Sequence, residues 1–284
     1  MTDPLAMYER QTRLFGKEGQ RKIMESNVAI VGAGGLGCHV IQQLAHLGVG
    51  KISIIDLDKV EETDLNRLVG SHSDDFKRGL SKVAVAERLI HEINQSIEVQ
   101  AVAETLLSET AFLAIKKADF VFGCLDNEGA RLVLNELCLA FEVPYLDLAS
   151  DIIEGKYGGR VFFSFDEKGC LYCYGLIDTD EAQRDLMGEE AAKDQQQIYG
   201  VDRDKLDRSG PAVVSINGVV ASLAVTEFMA FIVKLRQPIR LAVYHAEQGV
   251  VNRNVDPPRE DCYYCKSVRG LKDKADVDRY WKSA

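Results

Sequence analysis

A short β-branched run that empties into glycines constrains this chain more than any other stretch. Residues 28–37 read Val-Ala-Ile-Val-Gly-Ala-Gly-Gly-Leu-Gly, and an amphipathic pattern follows at once. A strand running into Gly32-x-Gly34-x-x-Gly37 and then a helix is the pattern of a phosphate-binding turn. Gly32 permits the tight turn, Gly34 and Gly35 let backbone N–H groups approach a phosphate, and Gly37 lets the helix pack close to the strand, while the helix N-terminus attracts the anion. Asp56 ends the second predicted strand and is placed to accept hydrogen bonds from a ribose diol. These features point to a nucleotide carrying an adenosine ribose, against a purely structural turn, and they do not separate NAD from ATP.

From residue 27 onward, β-branched runs alternate with amphipathic stretches, the mark of βαβ units. The predicted strands are 28–31, 52–55, 97–102, 120–122 and 145–148, separated by helical patterns at 36–47, 82–93, 109–116 and 129–141. They predict an α/β fold with a doubly wound, mainly parallel, Rossmann-like sheet. After Ser150 the pattern changes: 158–165 alternates like an antiparallel strand, a polar stretch covers 178–207, an apolar helix covers 211–233, and strand-like segments at 240–245 and 249–255 make an antiparallel C-terminal extension. The expected organisation is one domain overall, with an N-terminal helical arm (1–26), a nucleotide-binding core (27–173), a mobile crossover loop with one solvent-exposed helix (174–210), and a C-terminal part (211–284).

Charge excludes two partner classes. With 34 basic against 44 acidic residues and a net charge of −10, nothing draws the whole chain to nucleic acid or to an anionic bilayer. The apolar stretch 211–233 contains Glu227, whose carboxylate is costly in hydrocarbon, so it reads as a core or subunit-interface helix and no membrane partner is expected. The polar N-terminus lacks a secretory stretch, which gives a cytoplasmic expectation and reduced cysteines.

Four of the seven cysteines then form two pairs, Cys170-Leu-Tyr-Cys173 and Cys262-Tyr-Tyr-Cys265. Separated by about 90 residues, these pairs put four thiolates within reach of one tetrahedral Zn²⁺ if the chain folds back on itself. The alternative is four reduced cysteines buried as small hydrophobes. With no open coordination position, such a metal is structural. Cys38, directly after Gly37, stands where a helix N-terminus could lower its thiol pKa, whereas Cys124 and Cys138 read as core.

The charged residues narrow the nucleotide. After Asp56 come Leu-Asp58-Lys-Val-Glu-Glu-Thr-Asp64-Leu-Asn66-Arg67, then Gly79-Leu-Ser-Lys82, then Cys124-Leu-Asp126-Asn127-Glu-Gly-Ala-Arg131, with Tyr8-Glu-Arg10-Gln11 near the start. In this order, over residues 8–265, the blocks resemble the ThiF/MoeB/HesA family, which includes the adenylation domains of ubiquitin-activating enzymes. The resemblance implies activation of a protein's C-terminal carboxylate: the carboxylate attacks the α-phosphate of ATP, pyrophosphate leaves and an acyl-adenylate results. Such a reaction calls for cations around the phosphates and Mg²⁺ on a carboxylate. By motif position the resemblance implies that Lys82 contacts the phosphates near the reacting centre and that Arg67 holds the β- and γ-phosphates. Asp126, beside Asn127, matches the Mg²⁺ ligand, Asp56 and Asp58 match the adenosine-side acidic pair, and Asn66 belongs to the same nucleotide-binding block. Arg10 matches an arginine that reaches into the neighbouring subunit's site. It also implies a homodimer, the Cys₄ zinc, and a small ubiquitin-like or sulfur-carrier β-grasp protein as partner, with a conjugating enzyme or sulfur donor downstream.

Taken singly, Arg10, Arg67 and Lys82 could be surface charges, and Asp126-Asn127 could simply cap a helix. Two departures from the family pattern stand out: Asp64 replaces an asparagine and Leu68 a glutamine. A carboxylate beside a triphosphate opposes ATP binding unless Mg²⁺ or Arg13 offsets it. No cysteine falls between Tyr174 and Asp261, so a thioester step in the crossover loop is not expected. The expected activity is ATP-dependent adenylation of a C-terminal glycine, for sulfur transfer or conjugation. The alternatives are a peptide-modifying adenylyltransferase of the same family, a degenerate partner subunit, and, with only the glycine turn and Asp56 behind it, an NAD(P)-dependent oxidoreductase.

Overall fold

The computed structural model describes residues 5–153, 155–187, 211–254 and 256–282. Eight strands form one sheet in the order β3-β2-β1-β4-β5-β6-β7-β8. Their ranges are β1 (Asn27–Val31), β2 (Lys51–Ile55), β3 (Glu98–Val102), β4 (Phe120–Gly123), β5 (Tyr145–Ile153), β6 (Lys156–Ser164), β7 (Leu241–His245) and β8 (Val250–Asn254). The first five pair in parallel, and β5 through β8 pair antiparallel, so a mainly parallel sheet carries the antiparallel extension expected from the sequence.

Helices cover both faces, which is why β1 and β4 are buried along almost their whole length. They are α1 (Glu9–Glu25), α2 (Gly37–Leu47), α3 (Lys82–Ile93), α4 (Glu109–Lys116), α5 (Glu128–Phe141), α6 (Thr179–Leu186), α7 (Val214–Val233), α8 (Tyr263–Ser267) and α9 (Arg279–Lys282). One core packs α2, α3 and α7 against the sheet, and the other packs α4 and α5 on the opposite face. Ser81, Ser108 and Asn127 cap α3, α4 and α5 by accepting backbone N–H bonds, so these helices start where a capping side chain meets an apolar period.

Three features depart from the sequence reading, one of them the apolar helix, which starts at Val214 and not at 211. β5 runs five residues beyond Leu148, to Ile153, because β6 supplies a complete ladder from Tyr145↔Ser164 to Ile153↔Lys156. The outer half of that strand is largely out of the core, so no apolar run marked it. The N-terminal arm holds a kink at Gly16, whose φ of 73° lies outside the helical region.

Among the described residues, Val214–Val233 is the one helix long and apolar enough to cross a bilayer. Here α7 lies on the sheet: Phe228 stacks edge-on to Phe120 at 4.9 Å, and Val220, Ala221, Ala224 and Val225 enter the core. Glu227 is buried against Arg236 at 2.6 and 2.7 Å and accepts the Ile239 N–H, which satisfies its charge. Of the expected crossover loop, α6 is described and its Asp178 N-cap is in place, while residues 188–210 lie outside the described residues.

The strand order reverses between β1 and β4. In an open α/β sheet that reversal leaves a crevice beyond the carboxyl ends of the two strands, where the loops from both sides diverge.

Candidate active site

The glycine turn opens into this crevice. Gly32 has φ +93°, and a Cβ there would stand 2.4 Å from the Cys124 carbonyl oxygen, so the turn after β1 presses on the loop after β4. A Cβ on Gly37 would stand 1.9 Å from the Gly32 oxygen, whereas one on Gly34 would meet nothing within 4 Å. The glycines thus close the turn on one side and leave it open on the other. Asp56 binds the turn: Oδ2 accepts the Ala33 N–H at 2.7 Å and Oδ1 the Asp58 N–H at 2.8 Å. Each carboxylate oxygen keeps a further lone pair for a diol. Burial raises the Asp56 pKa, against those two hydrogen bonds and the nearby Lys82 charge.

The loop from Asp56 to Lys82 gathers the cations. Backbone bonds from Lys82 N–H to the Asp58 oxygen (2.9 Å) and from Val60 N–H to the Leu80 oxygen (2.8 Å) zip its two ends together. That places the Lys82 ammonium, 13% exposed, at 2.9 Å from Asp58 and 4.0 Å from Asp64. Burial pulls the Lys82 pKa down, but the Asp58 hydrogen bond and the charges of Asp56, Asp64 and Asp58 outweigh it, and the net shift is upward. Arg67 donates to Asp64 at 2.9 Å and to the Thr63 carbonyl. Asn66 is exposed, with its Oδ1 at 3.5 Å from Arg67.

The counter-ion expected for Asp64 is therefore corrected, from Arg13 to Arg67 and Lys82. Its side chain, 6% exposed, accepts from Arg67 and, in the capping turn at Glu62–Asp64, from the Glu61 N–H. Arg13 is not its counter-ion, since Arg13 pairs with Glu9 one turn away on α1 at 2.6 Å. Leu68, at the other departure, fills a small apolar cluster with Cys38, Val60 and Val85. The Cys38 thiol lies within that cluster and accepts the Val69 N–H, and burial pushes its pKa up to about 11, so burial overrides the helix N-terminus.

On the β4 side, Asp126 is exposed and makes no hydrogen bond or ion pair among the described residues, while Asn127 caps α5. Arg131 was legible only as part of a motif, and the structure gives it a task. Its Nε and Nη2 converge on the Leu125 carbonyl at 3.2 and 2.6 Å, and Nη1 binds Glu128 at 3.0 Å. Fully buried Asp147 stands behind it at 3.7 Å and also binds the Tyr145 hydroxyl and Arg160. Glu128 in turn accepts the Asp178 N–H, and Asp185 of α6 accepts the Gly129 N–H. One polar network thus fixes the peptide before Asp126 and ties it to the segment that enters the crossover. Glu128, Asp147 and Arg160 carried no sequence signal, because their meaning lies in pairings across three elements. Arg10 is exposed on α1 and makes no side-chain pairing among the described residues, outside this cluster of contacts.

The four paired cysteines do meet. Their sulfurs lie within 4.8 Å of one another, with Cys170–Cys262 at 3.6 Å and Cys173–Cys265 at 3.9 Å. Zn–S bonds of about 2.3 Å in a tetrahedron set sulfurs about 3.8 Å apart, so the cluster has the size of a zinc cage. Hydrogen bonds from Cys170 and Cys265 pull the Cys173 thiol pKa down while the same contacts push that of Cys170 up, so the cluster shares its protons among closely spaced sulfurs. The cluster packs on Leu139, near the far end of α5 from Asn127. At 1.5 Å per residue that is roughly 18 Å of helix, too far to touch chemistry in the crevice.

Residues 8–268 match the ThiF family. Among curated proteins, the adenylyltransferase and sulfurtransferase MOCS3 of Drosophila persimilis is 32% identical over 284 residues, covering 98% of this chain and 57% of that protein. MOCS3 of Drosophila ananassae is 35% identical over 175 residues, or 61% of this chain and 36% of that protein. The chain thus spans less than two thirds of the curated relatives it matches. Among solved structures, the microcin C7 biosynthetic enzyme MccB in complex with N-formylated MccA superposes with a TM-score of 0.71 at 23% identity, over 92% of this chain and 75% of that one. E. coli MccB with ATP gives 0.69 at 23% over 93% and 74%, and PaaA gives 0.67 at 20% over 89% and 83%, likenesses that concern the fold. With one family matched from the N-terminal arm to the second cysteine pair, and with its fold around a switch-point crevice, the chain belongs to the ThiF family.

Proposed function

We propose that the chain is an adenylyltransferase that activates the C-terminal glycine carboxylate of a small β-grasp protein with ATP. The single observation that carries this reading is the gathering of Gly35, Asp56, Asp58, Arg67 and Lys82 at one end of the sheet, tied by contacts that run through Ala33 and Asp64. An NAD site has no use for two cations there, and in-line attack on an α-phosphate needs them. Asp56 and Asp58 take the ribose side, Gly32 to Gly37 with Asn66 the phosphate path, and Arg67 the β- and γ-phosphates. Lys82 faces the reacting centre, where it neutralises charge as the carboxylate oxygen bonds to the α-phosphorus and pyrophosphate leaves. Mg²⁺, held by Asp126 beside Asn127, supplies further charge neutralisation. Arg10 serves the partner subunit of a homodimer, which suits an exposed arginine with no intrachain role. Zn²⁺ in the Cys170, Cys173, Cys262 and Cys265 cage pins the segment after β6 to the C-terminal helices. The adenylate then passes to a sulfur donor or a conjugating enzyme. A protein tail and a short peptide end in the same chemistry, so the listed roles serve a peptide substrate equally, and MccB in complex with N-formylated MccA keeps that second reading in view.

The test is ATP–pyrophosphate exchange dependent on a β-grasp carrier ending in Gly-Gly. Wild type is expected to exchange, with Lys82→Ala and Asp126→Ala at least about 100-fold slower, the usual scale for removing a transition-state contact. Exchange unchanged in either variant removes that residue from the assignment.

A further inference from the structure

One buried polar group at the crevice has no partner. Asn217, on the first turn of α7, is 2% exposed, and its Oδ1 finds no hydrogen-bond donor among the described residues. Burying an amide oxygen unpaired is unfavourable, and its neighbours are otherwise core residues such as Ile216 and Val220. Its Nδ2 comes to 2.6 Å from the position a Cβ would take on Gly35, and Arg67 Cδ stands 3.3 Å from the same point. Asn217 and Arg67 therefore both stand at Gly35 of the phosphate turn, whereas Asp56 binds the turn at Ala33.

The chemistry of the missing partner follows from the atom. A carbonyl oxygen accepts and does not donate, so neither phosphate nor carboxylate oxygens can satisfy it; the partner brings an N–H or O–H. On ATP the ribose hydroxyls are assigned to Asp56, and the adenine amino group lies at the end of the nucleotide away from the phosphates. What arrives at Gly35 with a donor is the acyl substrate, whose last peptide nitrogen is about 2.5 Å from the carboxylate carbon that reacts.

We propose that Asn217 reads the last peptide unit of the substrate, its Oδ1 accepting the amide N–H of the C-terminal residue while its Nδ2 stays against the glycine turn. The inference rests on the adenylation reading above and adds to it a substrate class: a carboxylate preceded by a secondary amide, in preference to an ester, an N-alkylated residue or a simple acid. A site built to pair a substrate N–H rejects the analogue that lacks it, because the buried acceptor is then left unmatched.

The experiment uses two synthetic probes and the whole chain. A hexapeptide ending in Gly-Gly is compared with the depsipeptide in which the terminal amide N–H is replaced by an ester oxygen, both in ATP–pyrophosphate exchange. Wild type is expected to favour the amide by about tenfold or more in kcat/KM. Asn217→Ala, with Asn217→Val as a second folded variant checked by thermal unfolding, is expected to treat the two probes alike while its KM for ATP·Mg²⁺ stays within about twofold. Equal use of both probes by wild type overturns the tail reading and leaves adenylation standing. Undiminished discrimination in the folded variants overturns the assignment to Asn217. Exchange with a β-grasp carrier ending in Gly-Gly but with neither probe overturns the tail reading alone, and exchange with none of the three, in protein that binds ATP·Mg²⁺, contradicts the adenylation reading with it.

Discussion

Asp64→Asn separates the two things Asp64 does. The carboxylate lies 2.9 Å from Arg67 and 4.0 Å from Lys82, the two cations assigned to the phosphates. A phosphate gripped by both stands about 6 Å from Asp64. At an effective dielectric of roughly 20–40, a unit charge at that distance repels by roughly 1.4–2.8 kcal/mol. Mg²⁺ and salt reduce this, so the substitution is expected to tighten ATP·Mg²⁺ binding by at least about fivefold, and more at low ionic strength. It also withdraws a charged acceptor from half-buried Arg67 and from the Glu61 N–H, at a cost of about 1–3 kcal/mol in folding stability. Calorimetric titration with ATP·Mg²⁺ at two salt concentrations reads the first effect, and thermal unfolding without nucleotide reads the second. A variant that is less stable and binds ATP more tightly fits the account. Unchanged or weaker ATP binding by folded Asp64→Asn refutes the placing of phosphates between Arg67 and Lys82.

Other expectations rest on separate parts of the structure. Elemental analysis should find about one zinc per chain, and Cys262→Ser should lose it together with several kcal/mol of stability; folded wild type free of zinc contradicts the cage. Arg131→Gln leaves Leu125 and Asp147 without their cation, so exchange should fall and its Mg²⁺ requirement rise, with Arg131→Lys failing to restore either; an unchanged Mg²⁺ dependence assigns Arg131 to folding alone. The paired hydrogen bonds from Arg88 hold the Asp75 carboxyl at about 2, below its ordinary 3.8. That depressed value stabilises the fold above pH 4, and the contribution, about 2 kcal/mol, disappears as pH falls from about 4 through 2. Acid unfolding of Asp75→Asn should therefore lack this part of the wild-type pH dependence, and identical acid limbs would contradict the pairing.

What the sequence made legible was chemistry that closes over a short span. The turn after β1 could be read because each glycine answers a local steric demand, and Gly32 and Gly37 meet backbone oxygens at distances no side chain permits. The two cysteine pairs could be read because zinc restricts spacing, and their sulfurs come together as that spacing required. The counter-ion of Asp64 was misread because Lys82, 18 positions later, folds back beside it through the Asp58–Lys82 backbone bond. Arg13 could have been excluded, since Glu9 stands four residues before it on one helix face. The Arg131–Asp147 network and Asn217 left no pattern, for each acquires its role from elements distant in the chain. Asn217 is one of a few polar residues in an otherwise apolar run, and only the packing of α7 against the glycine turn brings its amide to Gly35.

The most direct test follows an oxygen atom. A β-grasp carrier ending in Gly-Gly is labelled with ¹⁸O at its C-terminal carboxylate, incubated with the protein and ATP·Mg²⁺, and the acyl product is trapped with hydroxylamine. If the carboxylate attacks the α-phosphorus, the bridging oxygen leaves with AMP, and mass spectrometry finds one ¹⁸O in AMP alongside unlabelled pyrophosphate. Label appearing in inorganic phosphate with release of ADP, or AMP formed without label, would contradict adenylation.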